Sequence, residues 1–385
     1  MPQFTFLEFF SGAGMARIGL GSKWRCCLAN DIDQSKASAY RANFNNASEL
    51  VVADVASLSP SIVATQADLA WASFPCQDLS VAGNGAGLKG GRSGTFWPFW
   101  KLITGLVDNG RAPRLIALEN VLGTLTSHGG RDFTAIVSAL AERGYRVGAL
   151  AVDAIHFVPQ SRPRLFIIGQ LDSLPLSPLA AASAPVNVWH SSAVVRAFEQ
   201  LPESVRERWI WWRVPIPTRM VPRLSDIIER DPAGVEWNSA AETAYILSLM
   251  SPGNRAKVHA ARKSGRPVVG AVYRRTRLAS DGTKQQRAEI RFDGVAGCLR
   301  TPTGGSSRQT LLFVNGESIR SRLISPREVA RLMGLPERYK LPSNYNETYH
   351  LVGDGVAVPV VRHLTRSLFE RLLEPFTKPA REVAA

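Results

Sequence analysis

A thiol, a carboxyl group and a pair of guanidiniums stand at the ends of apolar runs in this chain. Cys76 follows "ADLAWASFP", Glu119 closes "RLIALE", and Arg162 and Arg164 sit two apart in "VPQSRPRLFIIG". A thiolate is a strong nucleophile near neutral pH, a carboxyl can pass a proton, and guanidiniums can hold a carbonyl or an anion. Taken singly, each has a bland reading. A free cysteine is commonly a small buried hydrophobe, a Glu-Asn pair at a strand end is commonly a cap or loop, and R-x-R on a strand is commonly a basic edge with both side chains on one face. Position argues for more. Pro75 cannot continue a central strand, so Cys76 falls just past its carboxyl end. In open α/β sheets that edge is where ligands bind. Convergence of these groups at the mouths of one sheet reads as a reaction site. Residues 77–96, "QDLSVAGNGAGLKGGRSGTF", hold six glycines and read as a lid beside the thiol.

The elements that must position these groups fill the first 170 residues. "FTFLEFF", "WRCCLAND", "LVVADV", "ADLAWASF", "RLIALENV", "VGALAVDA" and "RLFIIGQ" read as strands. "GMARIGLGS", "QSKASAYRANF" and "RDFTAIVSALAERG" carry helical spacing between them. The alternation predicts an α/β fold, a doubly wound parallel sheet with helices on both faces. "FTFLEFFSGAGMARIGL" is then strand, glycine turn, helix, with Gly12 and Gly14 allowing the tight turn and close backbone approach. The third glycine of a dinucleotide fingerprint is replaced by Arg17. Asp31 ends the second strand, where it can accept hydrogen bonds from ribose hydroxyls, and Asp54 ends the third, where it can accept from an adenine amino group. Adenosine without a pyrophosphate fits, and S-adenosyl-L-methionine is such a ligand.

The length of 385 residues predicts about two domains. Boundaries are drawn at 1–185 for the catalytic, cofactor-binding part, 186–350 for a smaller irregular domain, and 351–385 for a segment returning to the first. The proline- and serine-rich run after Gln170 reads as a linker, and "VVRHLTRSLFERLLEPF" as one amphipathic helix. Lysine and arginine outnumber acids 46 to 32, for a net charge of +14 and a pI near 10.1. That balance favours a polyanionic partner, nucleic acid first. The basic stretches Arg206–Arg223 and Arg274–Arg277 are the expected phosphate contacts. No apolar run suits a membrane span and the start lacks a signal peptide, so a cytoplasmic protein is expected. Cys26, Cys27, Cys76 and Cys298 have neither zinc nor disulfide spacing, and no metal is expected.

In this order the motifs resemble those of the C5 cytosine-specific DNA methyltransferases. "FSGAG" is similar to the family's first motif, "FPCQ" to its nucleophile motif, "ENV" to its glutamate motif and "QSRPR" to its Q-x-R-x-R motif. "SPREVARLMGLP" and "GDGVAVP" resemble its last two. The resemblance covers about 1–170 and 296–375, and the region between corresponds to the variable target-recognition domain. It implies the class I S-adenosylmethionine-dependent methyltransferase fold, Rossmann-like and mostly parallel. It also implies Cys76, Glu119, Arg162 and Arg164 as catalytic residues. S-adenosyl-L-methionine would be bound by Phe10, Gly12, Gly14, Asp31, Ile32, Asp54, Val55, Pro75, Phe96, Asp354 and Gly355. Two positions depart from the family pattern: Asp354 stands where an asparagine is usual, and Cys298-Leu299 where a Thr-Leu pair is usual.

The implied reaction is methyl transfer to C5 of a flipped-out cytosine in double-stranded DNA, through a Cys76–C6 adduct. The enzyme is expected to act as a monomer on DNA, nucleoid-associated, either alone or beside a separate cognate restriction endonuclease. An RNA cytosine methyltransferase of the same fold, a catalytically idle DNA-binding relative and a nicotinamide-dependent oxidoreductase are the rival readings. The size of the recognition region argues against the first, the full set of site residues against the second, and Arg17 against the third.

Overall fold

The computed structural model describes residues 3–45, 47–75, 88, 93–186, 188–278, 282–299 and 308–374. Cys76 and most of the glycine-rich run expected to form a lid lie outside the described residues. The chain forms two compact units, one of Met1–Asp153, Pro163–Pro217 and Val358–Ala385, the other of Ala154–Arg162 and Thr218–Ala357.

The first unit is built on a seven-stranded sheet of β1 (Phe4–Phe9), β2 (Trp24–Asp31), β3 (Leu50–Val52), β4 (Leu69–Ala72), β5 (Leu115–Asn120), β6 (Tyr145–Asp153) and β7 (Pro163–Leu171). Each lies where its apolar run predicts. The order is β3-β2-β1-β4-β5-β7-β6. The strands β1 to β5 pair in parallel, and β4 and β5 are buried along their whole length, as a sheet covered on both faces requires. Only β7 breaks the pattern, running antiparallel to both β5 and β6. The cause is the short connection: Ala154–Arg162 is too brief for the helical crossover that parallel neighbours need, so β6 and β7 pair as a hairpin.

Helices α1 (Met15–Leu20), α2 (Gln34–Asn43), α3 (Phe96–Asp108) and α4 (Arg131–Glu142) pack around this sheet. Asp33 caps α2 by accepting from the Ser35 and Lys36 amides. The pattern does not announce α3: "FWPFW" is apolar almost all round, and its proline sits in the first turn, where a helix tolerates it.

The closing segment is helical from Val358 to Leu373, with a π-helical turn at Thr365–Phe369, and packs on α1. A Cβ on Gly19 would land 2.4 Å from that of Val361, so only glycine permits the approach. The Trp24 Nε1 donates to Glu370 Oε1 at 3.4 Å in the same place.

The stretch just after 186, placed with the second domain on composition, lies in the first unit up to Pro217. Trp209, Trp211 and Trp212 are the reason. They are buried, Trp209 and Trp211 within the main core and Trp212 donating to the Ile168 carbonyl at 3.2 Å. The expected linker joins in, since β8 (Ala181–Ala182) pairs with β9 (Trp211–Trp212).

The second unit is more regular than its sequence suggests. It holds an antiparallel sheet of β10 (Val268–Leu278), β11 (Lys284–Arg291), β12 (Thr310–Asn315) and β13 (Ser318–Leu323), in the order β11-β10-β12-β13. Residues from the helices Ala240–Ser248 and Pro252–Lys263, Ile246 and Val258 among them, form its core with Val272, Ile290 and Leu312. Arg322 and Glu328 are fully buried and joined by two hydrogen bonds, Nη1 to Oε2 at 2.8 Å and Nη2 to Oε1 at 2.6 Å. No helix among the described residues is long and apolar enough to cross a membrane.

Candidate active site

The glycine turn after β1 is held from two sides. Gly12 and Gly14 both have positive φ, 53° and 74°, as the turn requires. A Cβ on Gly14 would strike the Phe44 ring at 2.2 Å, whereas one on Gly12 would meet nothing within 4 Å. Gly12 therefore presents open backbone. Asp31 Oδ2 accepts its amide at 2.7 Å, and Oδ1 accepts that of Asp33 at 2.9 Å. Phe10 precedes the turn, itself at a φ of 55°, unusual for a residue with a side chain.

The first turn of α1 has no side-chain cap, because its N-cap is Gly14. Glu8 on β1 supplies the acceptor: its Oε1 takes the Arg17 amide at 3.3 Å. Glu8 is buried, its Oε2 has no hydrogen-bond partner, and burial pushes its carboxyl pKa up to about 8. Arg17, in the third-glycine position, has a framework task. Its guanidinium donates to the Tyr40 hydroxyl at 2.6 Å, pairs with Glu49 and lies 4.2 Å from the Phe44 ring centre.

The side chains around the turn fit an adenosine-bearing ligand. Ile32 is 67% exposed directly after the buried Asp31, an apolar face beside a carboxylate. Asp54 is exposed, with Oδ1 accepting the Ala56 amide at 2.9 Å, and Val55 behind it is buried. Phe96 is fully buried, its ring 5.5 Å from that of Phe74 and stacked near Trp100.

At the neighbouring strand ends the carboxyl and one guanidinium meet. Glu119, the penultimate residue of β5, lies 3.2 Å from Arg164 Nε on β7, Oε1 to nitrogen, with both side chains mostly buried. Antiparallel pairing of β7 with β5 and β6 brings the start of β7 beside the end of β5. Asn120, one residue on, turns to the thiol's strand. Its Nδ2 donates to the Phe74 carbonyl at 3.1 Å, while its Oδ1 accepts from the Val121 amide at 2.8 Å and the Thr124 hydroxyl at 3.1 Å. Pro75, the last described residue before the thiol, is half-buried.

Arg162 parts company with Arg164. The two do not share a face of one strand, because β7 begins only at Pro163 and Arg162 belongs to the preceding excursion. Arg162 is 2% exposed, and its Nη1 donates to the Leu299 carbonyl at 3.0 Å and to Cys298 Sγ at 3.5 Å. Its Nη2 donates to the carbonyls of Gly353 and Gly355, both at 2.7 Å. Asp354, between those glycines, ends the helix Tyr345–Asp354 and is exposed. Gln160 adds a further tie: its Oε1 accepts the Leu299 amide at 3.1 Å and its Nε2 donates to the Leu332 carbonyl at 2.8 Å.

The C-5 cytosine-specific DNA methylase model matches residues 4–370. The chain belongs to that family. Curated relatives include the Type II methyltransferase M.HpaII of Haemophilus parainfluenzae, 27% identical over 96% of this chain and 90% of its own length. Another is the Type II methyltransferase M.BsuFI of Bacillus subtilis, 25% identical over 96% of this chain and 73% of its own. Among solved structures, the S. pombe Dnmt2 methyltransferase has a TM-score of 0.58 at 18% identity, covering 97% of this chain and 99% of that one. The Entamoeba histolytica methyltransferase EhMeth has the same TM-score, 0.58, at 15% identity, with 98% and 100% covered. These two structures speak to the fold.

As a DNA cytosine-5 methyltransferase, the chain uses an S-adenosylmethionine-type methyl donor and a DNA substrate. Sequence reasoning missed Asn120, Glu8 and Gln160 as residues that hold the motifs in place. The signals were present: an amide directly after Glu119, an acid inside the apolar β1 run, and a glutamine opening "QSRPR".

Proposed function

We propose that the enzyme methylates cytosine within one specific duplex sequence, with Cys76 as nucleophile and Glu119 and Arg164 acting on the ring. The observation that carries this reading is the Glu119–Arg164 pair, set beside the Asn120 tether to the Phe74 carbonyl. A carboxyl and a guanidinium are thereby presented together, and the residue after that carboxyl grips the Phe74 carbonyl, two positions before the thiol in sequence.

Cytosine C5 is too weak a nucleophile to take a methyl group directly. Addition of the Cys76 thiolate to C6 makes C5 enamine-like. Glu119 meets N3 and donates or shares a proton as charge builds there, and Arg164 binds the O2 oxygen. S-adenosyl-L-methionine, when bound, supplies the electrophilic methyl group. Gly12, Asp31, Ile32 and Asp54 are the residues that hold it in the first unit, with backbone at the glycine turn and carboxylates for ribose and adenine. Loss of the C5 proton to a base then breaks the C6–sulfur bond and frees Cys76. A stacked base is out of reach of such a site, so the target cytosine flips out of the helix. Basic residues of the second unit take the phosphates. Arg275 and Arg287 stand directly opposite each other on β10 and β11, with Glu289 3.7 Å from Arg275 as the local counter-charge, and are candidates for phosphate contacts.

The test is to map methylated cytosines in DNA from cells expressing the protein, with transfer RNA assayed in parallel. One recurring sequence context in DNA is expected. Methylation of RNA alone would overturn the duplex-DNA reading.

A further inference from the structure

Glu8 is a buried carboxyl with no part in the proposed reaction. It is 1% exposed, its Oε1 takes the Arg17 amide in the first turn of α1, and its Oε2 has no hydrogen-bond partner. Ser11 Oγ, in the glycine turn itself, is a second buried oxygen without one. Arg17 on α1, Cys26 and Asp31 on β2, Tyr40 on α2 and Glu49 ahead of β3 are the titratable and charged groups that face Glu8, while β4 sets Trp71 at its register. The Arg17 guanidinium donates to the Tyr40 hydroxyl at 2.6 Å, pairs with Glu49 and makes no ion pair with Glu8. A buried carboxyl without a cation paired to it keeps its proton, and burial pushes the pKa of this one up to about 8. All of these groups lie in the first unit, on the elements that frame the glycine turn.

We propose that Glu8 reads the charge held at the glycine turn: its carboxyl gives its proton to solvent when the cationic methyl donor binds and keeps it when the demethylated product binds. This rests on the reading of that turn as the cofactor site. S-adenosylmethionine carries a sulfonium and S-adenosylhomocysteine a neutral thioether, so the two differ by one methyl group and one positive charge. Added positive charge favours the ionised form of a neighbouring carboxyl, and the low dielectric of a buried position strengthens the effect. Donor binding then releases a proton that product binding does not. By linkage, affinity for the donor relative to the product rises with pH until the carboxyl of the free protein is itself ionised. Glu8 acts through its field and through the first turn of α1, as a positioning residue rather than a catalytic one.

The experiment uses the full chain without DNA, so that no transfer occurs, and calorimetric titrations with S-adenosylmethionine and S-adenosylhomocysteine across pH. Glu8→Gln keeps an acceptor for the Arg17 amide and cannot ionise. The donor-to-product affinity ratio of the wild type, divided by that of Glu8→Gln, cancels the titration of the ligands' own amino groups. This quotient should rise about eightfold between about pH 6 and 9, the gain expected when the donor lowers the carboxyl's midpoint by about one pH unit. A quotient flat with pH, or one that falls, overturns the proposal. Because a buried substitution can perturb folding, the wild type supplies a second measurement, the Glu8 side-chain carboxyl carbon followed by NMR. Its midpoint should drop by about one pH unit with the donor and stay within about 0.3 with the product. A midpoint moved equally by both ligands, or by neither, overturns the charge reading. Failure of the wild type to bind either ligand at any pH overturns the cofactor-site reading itself, and shows in the first titrations.

Discussion

Buried polar side chains do different work in the two units. In the first they gather at the carboxyl ends of parallel strands: Glu8 on β1, Asp31 closing β2, Glu119 and Asn120 closing β5. Asp31 and Asn120 there hold the backbone of the adjoining turns, Glu119 pairs with Arg164, and Glu8 Oε2 has no hydrogen-bond partner. In the second unit they bind one another and the backbone. Arg322 takes Glu328, Gln160 takes Leu299 and Leu332, and Arg162 takes three carbonyls. The contrast sets the groups at strand ends, among them the Glu119–Arg164 pair proposed to act on the ring, against groups tied into the framework of the second unit. Arg162 and Arg164, two positions apart, fall on opposite sides of it.

The sharpest way to break the comparison is at the thiol. Cys76→Ala should lower methyl transfer by at least about 10⁴-fold while leaving duplex affinity within about threefold, since only the covalent step needs sulfur. A duplex containing 5-fluorocytosine should trap the wild type covalently and not the variant. Residual turnover by the variant near the wild-type rate would remove Cys76 from the mechanism.

A holding residue should instead register as stability. Arg322→Ala leaves Glu328 charged and fully buried and should cost about 3–5 kcal/mol in urea unfolding. Replacing both partners with apolar residues of similar volume should restore most of the loss. A single variant as stable as wild type would show that the pair is not part of the framework.

Glu119→Gln should reverse that signature, with stability nearly unchanged and turnover down by about 10²–10³-fold. A loss confined to KM would reassign Glu119 from proton handling to binding.

Glu8 lies between the two classes, and pH separates its contributions. Its pKa is raised from 4.5 to about 8 by burial, opposed by Arg17, with Asp31 and Glu49 reinforcing the rise. Cys26 and Tyr40 also face this cluster, and burial raises both. Between pH 4.5 and 8 the folded state holds a proton that the unfolded chain has lost, so stability falls as pH rises through that window. Glu8→Gln keeps the acceptor for the Arg17 amide and removes the titration. Its melting temperature should match wild type near pH 4 and exceed it above pH 8, by up to a few kcal/mol in free energy. A difference independent of pH would show that the carboxyl does not change its charge in that window.

The smallest effect is expected at Asp354. Its carboxylate is exposed, and the adjoining glycine carbonyls are held by Arg162, so Asp354→Asn should change cofactor affinity by less than about threefold. A hundredfold loss would make it a dedicated ligand.

These contrasts were legible to different depths. The seven strands of the main sheet could be read because each is a short apolar run between turn residues, and Asp31, Asp54 and Glu119 because they end such runs. The reversal of β7 could not, since strand direction depends on what the chain does between Asp153 and Pro163. The tryptophans at 209, 211 and 212 read as part of a basic domain because arginines surround them, yet burial of the indoles decides where they lie. Nor does R-x-R spacing show that a strand starts between its two arginines. The regular sheet of the second unit was hidden by β10, whose apolar first half and basic second half match no single period.

The packing of the Val358–Leu373 run on α1 has a consequence for biosynthesis. Gly19 and Trp24 belong to the earliest part of the chain, and their covers, Val361 and Glu370, belong to the latest. As the nascent chain emerges, the sheet that carries the glycine turn can assemble early, but its α1 face stays bare until more than 330 further residues have been added. The first unit is therefore begun first and completed last. During that interval the exposed apolar face is the part of the molecule open to aggregation or to a chaperone.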